Sequence, residues 1–205
     1  PPPLLQGVTR IVTLGDSITQ GGARPGGYVW LVDRYLKAVY RSTPIEIVNA
    51  GISGHKATDM QARFERDVLA HKPQLVTISV GVNDVWHAFR DFKARRDYPD
   101  GSLPNGVPLP LYVEKLEAMI VAAKAAGARV VLLTPTPIHE NPASPENARL
   151  AAYVKAMTAL GATHRCTVVD LNAAMTRAIA AAQREAGTRV NVLTTDGVHL
   201  NPAGN

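Results

Sequence analysis

Cysteine, aromatic residues and long apolar runs are all scarce in this chain, and each scarcity removes a class of protein. A single cysteine in 205 residues excludes an internal disulfide and a cysteine-rich metal site. It sits in the run Cys166-Thr167-Val168-Val169 and reads as a buried strand thiol rather than a nucleophile. Aromatic residues make up 5%, and no basic stripe is interleaved with them. The net charge of +5, from 22 Lys+Arg against 17 Asp+Glu, therefore points to weak attraction for anions and not to a nucleic-acid surface. The basic residues are scattered apart from Lys93-Ala94-Arg95-Arg96. No stretch of about 18 apolar residues is present, so no membrane span is expected. Neither a Gly-x-Gly-x-x-Gly nor a Gly-x-x-x-x-Gly-Lys-Ser/Thr string follows a strand, which weighs against nucleotide binding. His55, His71, His87, His139 and His164 show no metal-ligand spacing and read as structural or solvated, so neither a metal nor a cofactor is expected.

What is present is a core. Hydrophobic residues at 46% against 19% charged suit a single folded domain over residues 1–205. The chain starts Pro-Pro-Pro without methionine, which reads as processed or trimmed. A soluble protein that is secreted or periplasmic after loss of a signal peptide is compatible with this start. Five apolar runs, near residues 8–14, 45–48, 75–80, 129–134 and 166–169, alternate with stretches of helical spacing. Tyr28 to Val39 and Leu109 to about Ala126 are two such stretches, the second with Gly127 as its cap. A helix is also expected from Thr58 to Ala70, opened by a Thr58/Gln61 capping box, and another from Leu150 to a stop near Gly161. Trp86 to Phe92 reads as a short helix, 97–110 as a proline-rich excursion, 135–145 as a long loop and Leu171 to Arg184 as the last helix. Strand–helix alternation with long connections predicts a parallel sheet covered on both faces, a three-layer α/β/α sandwich. Periodicity does not give the strand order.

Four polar blocks fall after strands or in the last loop. They are Gly15-Asp16-Ser17, Asn49-Ala50-Gly51, Gly81-Val82-Asn83-Asp84 and Asp196-Gly197-Val198-His199. Open parallel sheets gather their ligand sites on the rim where strands end, so these distant blocks can meet. A serine hydroxyl attacks well only beside a general base, and a histidine held by a carboxylate is such a base. Asp196 and His199 are three residues apart, within one turn of each other. Hydrogen-bond donors for an oxyanion are available as the Ser17 N–H, the Gly51 N–H and the Asn83 side-chain amide. Each block alone has a plainer reading. Ser17 suits a helix cap, Asp16 a turn, Gly51 a positive φ, and Asn83-Asp84 an ordinary loop.

Taken in order, the four blocks resemble those of the SGNH hydrolases, also called the GDSL esterase/lipase family, over nearly the whole chain. The resemblance implies a flavodoxin-like, five-stranded parallel sheet ordered 2-1-3-4-5. It implies Ser17 as nucleophile, His199 as base and then acid, Asp196 as its orienter, and Ser17, Gly51 and Asn83 as the oxyanion hole. Asp16, Trp86 and His87 are candidates for the substrate pocket, the last two because they closely follow Asn83. Family members usually continue past such a histidine into a final packing helix, and that helix is expected to be absent here, with reduced stability, an exposed apolar patch or completion by a neighbouring chain as the alternatives. The expected reaction is hydrolysis of short-chain carboxylic esters through an acyl-serine. The second reading is a carbohydrate O-acetylesterase acting on an acetylated sugar. A reading from another class is a non-catalytic carbohydrate- or ligand-binding module on the same scaffold. The polar 97–110 stretch and the lack of an apolar lid favour a small acyl group.

Overall fold

Side chains alternate across a strand, so Val12 and Leu14 face one side of the sheet while Ile11 and Thr13 face the other. The computed structural model describes residues 2–42, 44–189 and 191–205; Pro1 of the lead-in lies outside them. The first half of the chain forms β1 (Arg10–Gly15), α1 (Ser17–Gly22), α2 (Tyr28–Val39), β2 (Glu46–Gly51), α3 (Ala57–Ala62), α4 (Phe64–Asp67) and β3 (Leu75–Ser79). There follow α5 (Val82–Phe89), a two-stranded hairpin of β4 (Arg90–Asp91) and β5 (Arg96–Asp97), and α6 (Leu109–Ala125). The chain continues with β6 (Arg129–Leu133), α7 (Pro145–Thr163), β7 (Thr167–Val169) and α8 (Leu171–Ala186).

Five parallel strands are ordered β2-β1-β3-β6-β7, with helices on both faces. The chain leaves β1 to one side for β2 and to the other for β3, so the carboxyl end of β1 is the switch point of the sheet. The two faces differ. Val12, Leu14, Val76, Ile78 and Leu132 are sealed by Met60 of α3, Phe89 of α5, Leu116 and Met119 of α6 and Met157 of α7. On the opposite face Ile11, Leu75 and Val131 pack with Val8, Leu36 and Ile45. There Ile11, Ile47, Thr77, Tyr28 and Met175 also line an apolar cavity of about 370 Å³. Along α2 the side chains of Leu31, Val32, Tyr35 and Val39 remain exposed.

Four expectations change. The helix over 58–70 is broken at Arg63 (φ −107°, ψ 4°), whose buried guanidinium turns inward to bond the Gly15 carbonyl, His55 and Asp67. Its first turn is closed by Asp59, whose carboxylate accepts the Lys56 N–H at 2.9 Å, and not by Thr58 and Gln61. Phe92 lies in the hairpin rather than in α5. Gly161 is inside α7, which runs on to Thr163, and glycine is needed there for packing: a Cβ would stand 2.2 Å from Val168 Cγ2, where helix and strand press together. The 97–110 excursion is tied down by Leu103 N–H to Ala88 O and by Val107 N–H to Asp84 O.

Candidate active site

β1 ends at Gly15, and α1 begins two residues on, so Ser17 stands on a tight strand-to-helix turn. Asp16 builds that turn: its carboxylate accepts the Ile18 N–H at 2.9 Å. Asp16 is 2% exposed, and burial pushes its carboxyl up to about 6, against the pull of the Ile18 N–H and of His199. It therefore caps α1 from below and does not wall the substrate cleft, a correction to its reading as a pocket residue. As the first helical residue, Ser17 has a backbone N–H without an intrahelical acceptor.

The last segment brings the imidazole to this turn. His199 Nε2 lies 2.8 Å from Ser17 Oγ, across 182 positions of sequence, and His199 Nδ1 lies 2.6 Å from Asp196 Oδ2. The other oxygen of Asp196 accepts the Val198 and His199 N–H groups at 3.0 and 2.8 Å. Burial works to raise the Asp196 carboxyl, but the bonds from His199 and Val198 override it and hold the group below the usual carboxylate range. Imidazole and carboxylate thus share one short turn, closed by Thr195 N–H to His199 O at 2.8 Å.

Glu140, which the sequence pattern did not single out, holds this segment. It is 5% exposed and accepts Val192 N–H at 2.6 Å, Leu193 N–H at 2.7 Å, Thr194 N–H at 2.8 Å and the Thr194 hydroxyl at 2.9 Å. Burial raises its carboxyl, and these four bonds lower it to a net value below the ordinary one. Thr194 Oγ1 passes the restraint on by accepting the Gly197 N–H. Arg63 plays a similar part for the opposite wall. Its guanidinium joins the Gly15 carbonyl below Ser17 to His55, and the His55 carbonyl accepts from Asn83 Nδ2 at 3.1 Å.

Of the expected oxyanion donors, Gly51 ends β2 opposite Gly15 of β1, and Asn83 is the second residue of α5. Asn83 is 4% exposed at the start of α5 and commits one amide hydrogen to His55, leaving the other to serve a ligand. The β3-to-α5 turn needs Gly81, whose φ is +129°. Gly51 has an ordinary φ, so positive φ is not its reason. A Cβ there would sit 2.3 Å from the Gln20 nitrogen, where β2 passes against α1. Its N–H donates to Asn49 Oδ1 at 2.8 Å, so an oxyanion would have to share that donor.

A cleft of about 520 Å³ opens beside Ser17 and His199, lined by Gln20, Arg24, Ser53 and Thr195 among others. Across His199 stands Trp86, ring centroids 6.4 Å apart, with His139 at 6.2 Å and Phe92 edge-on at 4.7 Å. The Trp86 ring thus stands beside the Ser17–His199 pair. His87 packs on Phe92 at 4.9 Å and is half-buried, which lowers its pKa; it braces the hairpin and is not in contact with Ser17 or His199. Among the described residues no group of three or more His, Cys, Asp and Glu could hold a metal, and no helix is long and apolar enough to cross a membrane.

The model of the GDSL-like lipase/acylhydrolase family matches residues 13–205. The acetylxylan esterase of Geobacillus stearothermophilus is 31% identical over 206 residues, 95% of this chain and 88% of that protein. Its crystal structure superposes with a TM-score of 0.79, covering 96% of this chain and 88% of that one. Structures of that enzyme include variants described as catalytic mutants, with alanine in place of a serine, an aspartate or a histidine. The crystal structure of the acetyl xylan esterase AlAXEase gives a TM-score of 0.79 at 30% identity, over 95% of this chain and 93% of that one.

Proposed function

The chain belongs to the GDSL-like lipase/acylhydrolase family and is a carboxylic ester hydrolase, and from that premise we propose that it removes acetyl groups from an acetylated carbohydrate with Ser17 as nucleophile. The observation that carries the residue assignment is the 2.8 Å approach of His199 Nε2 to Ser17 Oγ, with Asp196 on the other ring nitrogen. His199 takes the Ser17 proton as Oγ attacks the acetyl carbonyl. Ser17 N–H and Asn83 Nδ2 receive the oxyanion, with Gly51 N–H joining them when Asn49 shares it. As the tetrahedral intermediate collapses, the carbon–oxygen bond to the sugar breaks and His199 returns the proton to the departing alcohol. Water, deprotonated by the same imidazole, then attacks the acetyl-serine and releases acetate and the free serine.

Carbohydrate is favoured as the alcohol by two acetylxylan esterase relatives that match over nearly the whole chain. The cleft beside Ser17 fits this reading, since Gln20, Arg24, Ser53 and Thr195 offer hydrogen bonds to hydroxyl groups. A short acyl group fits a site with the Trp86 indole standing beside His199. Release of acetate from acetylated xylo-oligosaccharides and hydrolysis of p-nitrophenyl acetate test the proposal together. Ser17→Ala is expected to abolish both while the chain stays folded. Equal rates for wild type and variant would end the nucleophile assignment, and a rate maximum at octanoyl esters would end the acetyl assignment.

A further inference from the structure

Lys93, Arg95 and Arg96, the basic cluster of the sequence, lie on the β4–β5 hairpin, which among the described residues pairs only with itself and stands outside the main sheet. Asp91 and Asp97, the hairpin's own carboxylates, are already engaged. Asp97 is paired with Arg90 at 2.5 Å, and one oxygen of Asp91 closes the turn by accepting the Lys93 and Ala94 N–H groups. Lys93, Arg95 and Arg96 are exposed, and among the described residues they form no ion pair; Arg96 only rests over the Tyr98 ring. The turn thus presents three cations to solvent. Beside them Phe92 is 44% exposed; His87 packs on it at 4.9 Å and the Arg90 guanidinium stands 5.8 Å over the ring, so part of the ring is open to water. Its edge-on contact with Trp86 at 4.7 Å, and that of Trp86 with His199 at 6.4 Å, join it to the reacting centre through a single intervening ring.

We propose that this hairpin is a substrate subsite that receives a uronic acid, so that the preferred substrate is an acetylated oligosaccharide bearing carboxylates. The proposal rests on the carbohydrate reading above and specifies it. The C–H face of a pyranose is weakly positive and matches the negative face of an aromatic ring, so Phe92 offers a stacking surface. A carboxylate on that sugar or its branch meets guanidinium groups that can bind it in bidentate fashion. The ester one or two sugars away then lies over Ser17, because Trp86 alone separates the stacking ring from His199.

The test compares kcat/KM on an acetylated neutral xylo-oligosaccharide, on its glucuronic-acid-branched counterpart and on p-nitrophenyl acetate. Wild type is expected to favour the acidic oligosaccharide over the neutral one by about tenfold, with the preference shrinking as salt rises. The double variant Lys93→Ala/Arg95→Ala should remove that preference. Phe92→Ala should lower the ratio of oligosaccharide to p-nitrophenyl acetate activity by about tenfold for both oligosaccharides. Lys93 and Arg95 are exposed, so the double variant leaves the core untouched. Phe92 also packs on Trp86 and His87, so its variant is read as a ratio to p-nitrophenyl acetate turnover, which cancels any general disturbance of the site. Equal use of the two oligosaccharides by wild type, or ratios unmoved by the variants, overturns the subsite while leaving the carbohydrate reading in place. Turnover of p-nitrophenyl acetate with neither oligosaccharide deacetylated overturns both.

Discussion

On the proposed assignment, the 2.8 Å contact between Ser17 and His199 prepares the nucleophile, but the barrier also depends on donors waiting where the carbonyl oxygen gains charge. Asn83 separates these two contributions. Asn83→Ala is expected to lower kcat by about 10²–10³ with KM much less affected, read from initial rates on an acetyl ester; a kcat within twofold of wild type would remove Asn83 from the oxyanion hole. Gly51 poses a different residue-scale problem, because the atom its missing Cβ avoids is the Gln20 backbone nitrogen, 2.3 Å away. No rotamer change relieves that clash, so Gly51→Ala should cost on the order of 1–3 kcal/mol of stability in a urea titration. The side chains proposed as catalytic were legible because each lies in a short string whose chemistry is local: a serine after a strand, an aspartate three places before a histidine. The reason for Gly51 was not legible, since it depends on α1, thirty positions away in the chain. Asp16 misled for a similar reason, as only the fold shows which way its carboxylate turns.

Elements carry these residues, and the segment after α8 is held by very little regular structure. Residues 191–205 have one isolated bridge, Thr194 to Leu200, so the position of the imidazole depends on Glu140 and its four accepted hydrogen bonds. Glu140→Gln replaces one oxygen with an amide whose hydrogens would face N–H donors, so the clamp should fail although volume is kept. Expected outcomes are a fall of at least tenfold in kcat on p-nitrophenyl acetate, slower labelling of Ser17 by a serine-directed phosphonate, and little change in KM. A stability loss with unchanged kcat would make Glu140 merely structural. Because its folded pKa is lowered, the clamp holds above the ordinary glutamate value of 4.5 and weakens as pH falls below it. At this scale the long helices α2, α6 and α8 were readable from their spacing, whereas the break at Arg63 was not. A buried cation that reaches the Gly15 carbonyl leaves no mark in a pattern of apolar positions. The β4–β5 hairpin, two residues per strand, is likewise too short for an alternation to register.

The molecule as a whole converges on one rim, and the strand order that makes it do so was implied by the family resemblance and not by periodicity, because strand pairing is a long-range choice. That convergence buries charge. Asp84 is 1% exposed, bonds the Ala57 N–H at 2.9 Å through one oxygen, and has no hydrogen-bond partner for the other among the described residues. Burial pushes its carboxyl up to about 7 from 3.8, with the nearby Asp16 adding to the rise and the Ala57 N–H opposing it. Between those two values the folded chain keeps a proton that the unfolded chain has released, so this group's contribution is complete below about pH 4 and is lost as pH climbs towards 7. Asp84→Asn keeps the oxygen that accepts from Ala57 and removes the ionisation. Its stability relative to wild type should therefore grow through that window by an amount on the order of a few kcal/mol, then level off. Urea midpoints at pH 4, 5.5, 7 and 8.5 measure this, and curves for the two proteins that stay parallel would show that Asp84 does not titrate there. Charges that raise stability with pH, such as Asp67, held at about 2 by Arg66 and Arg63 against its burial, act at lower pH and cancel in the difference. The comparison thus isolates the cost of placing a carboxyl directly beside Asn83, where α5 must pack tightly against the sheet to bring its amide to the site.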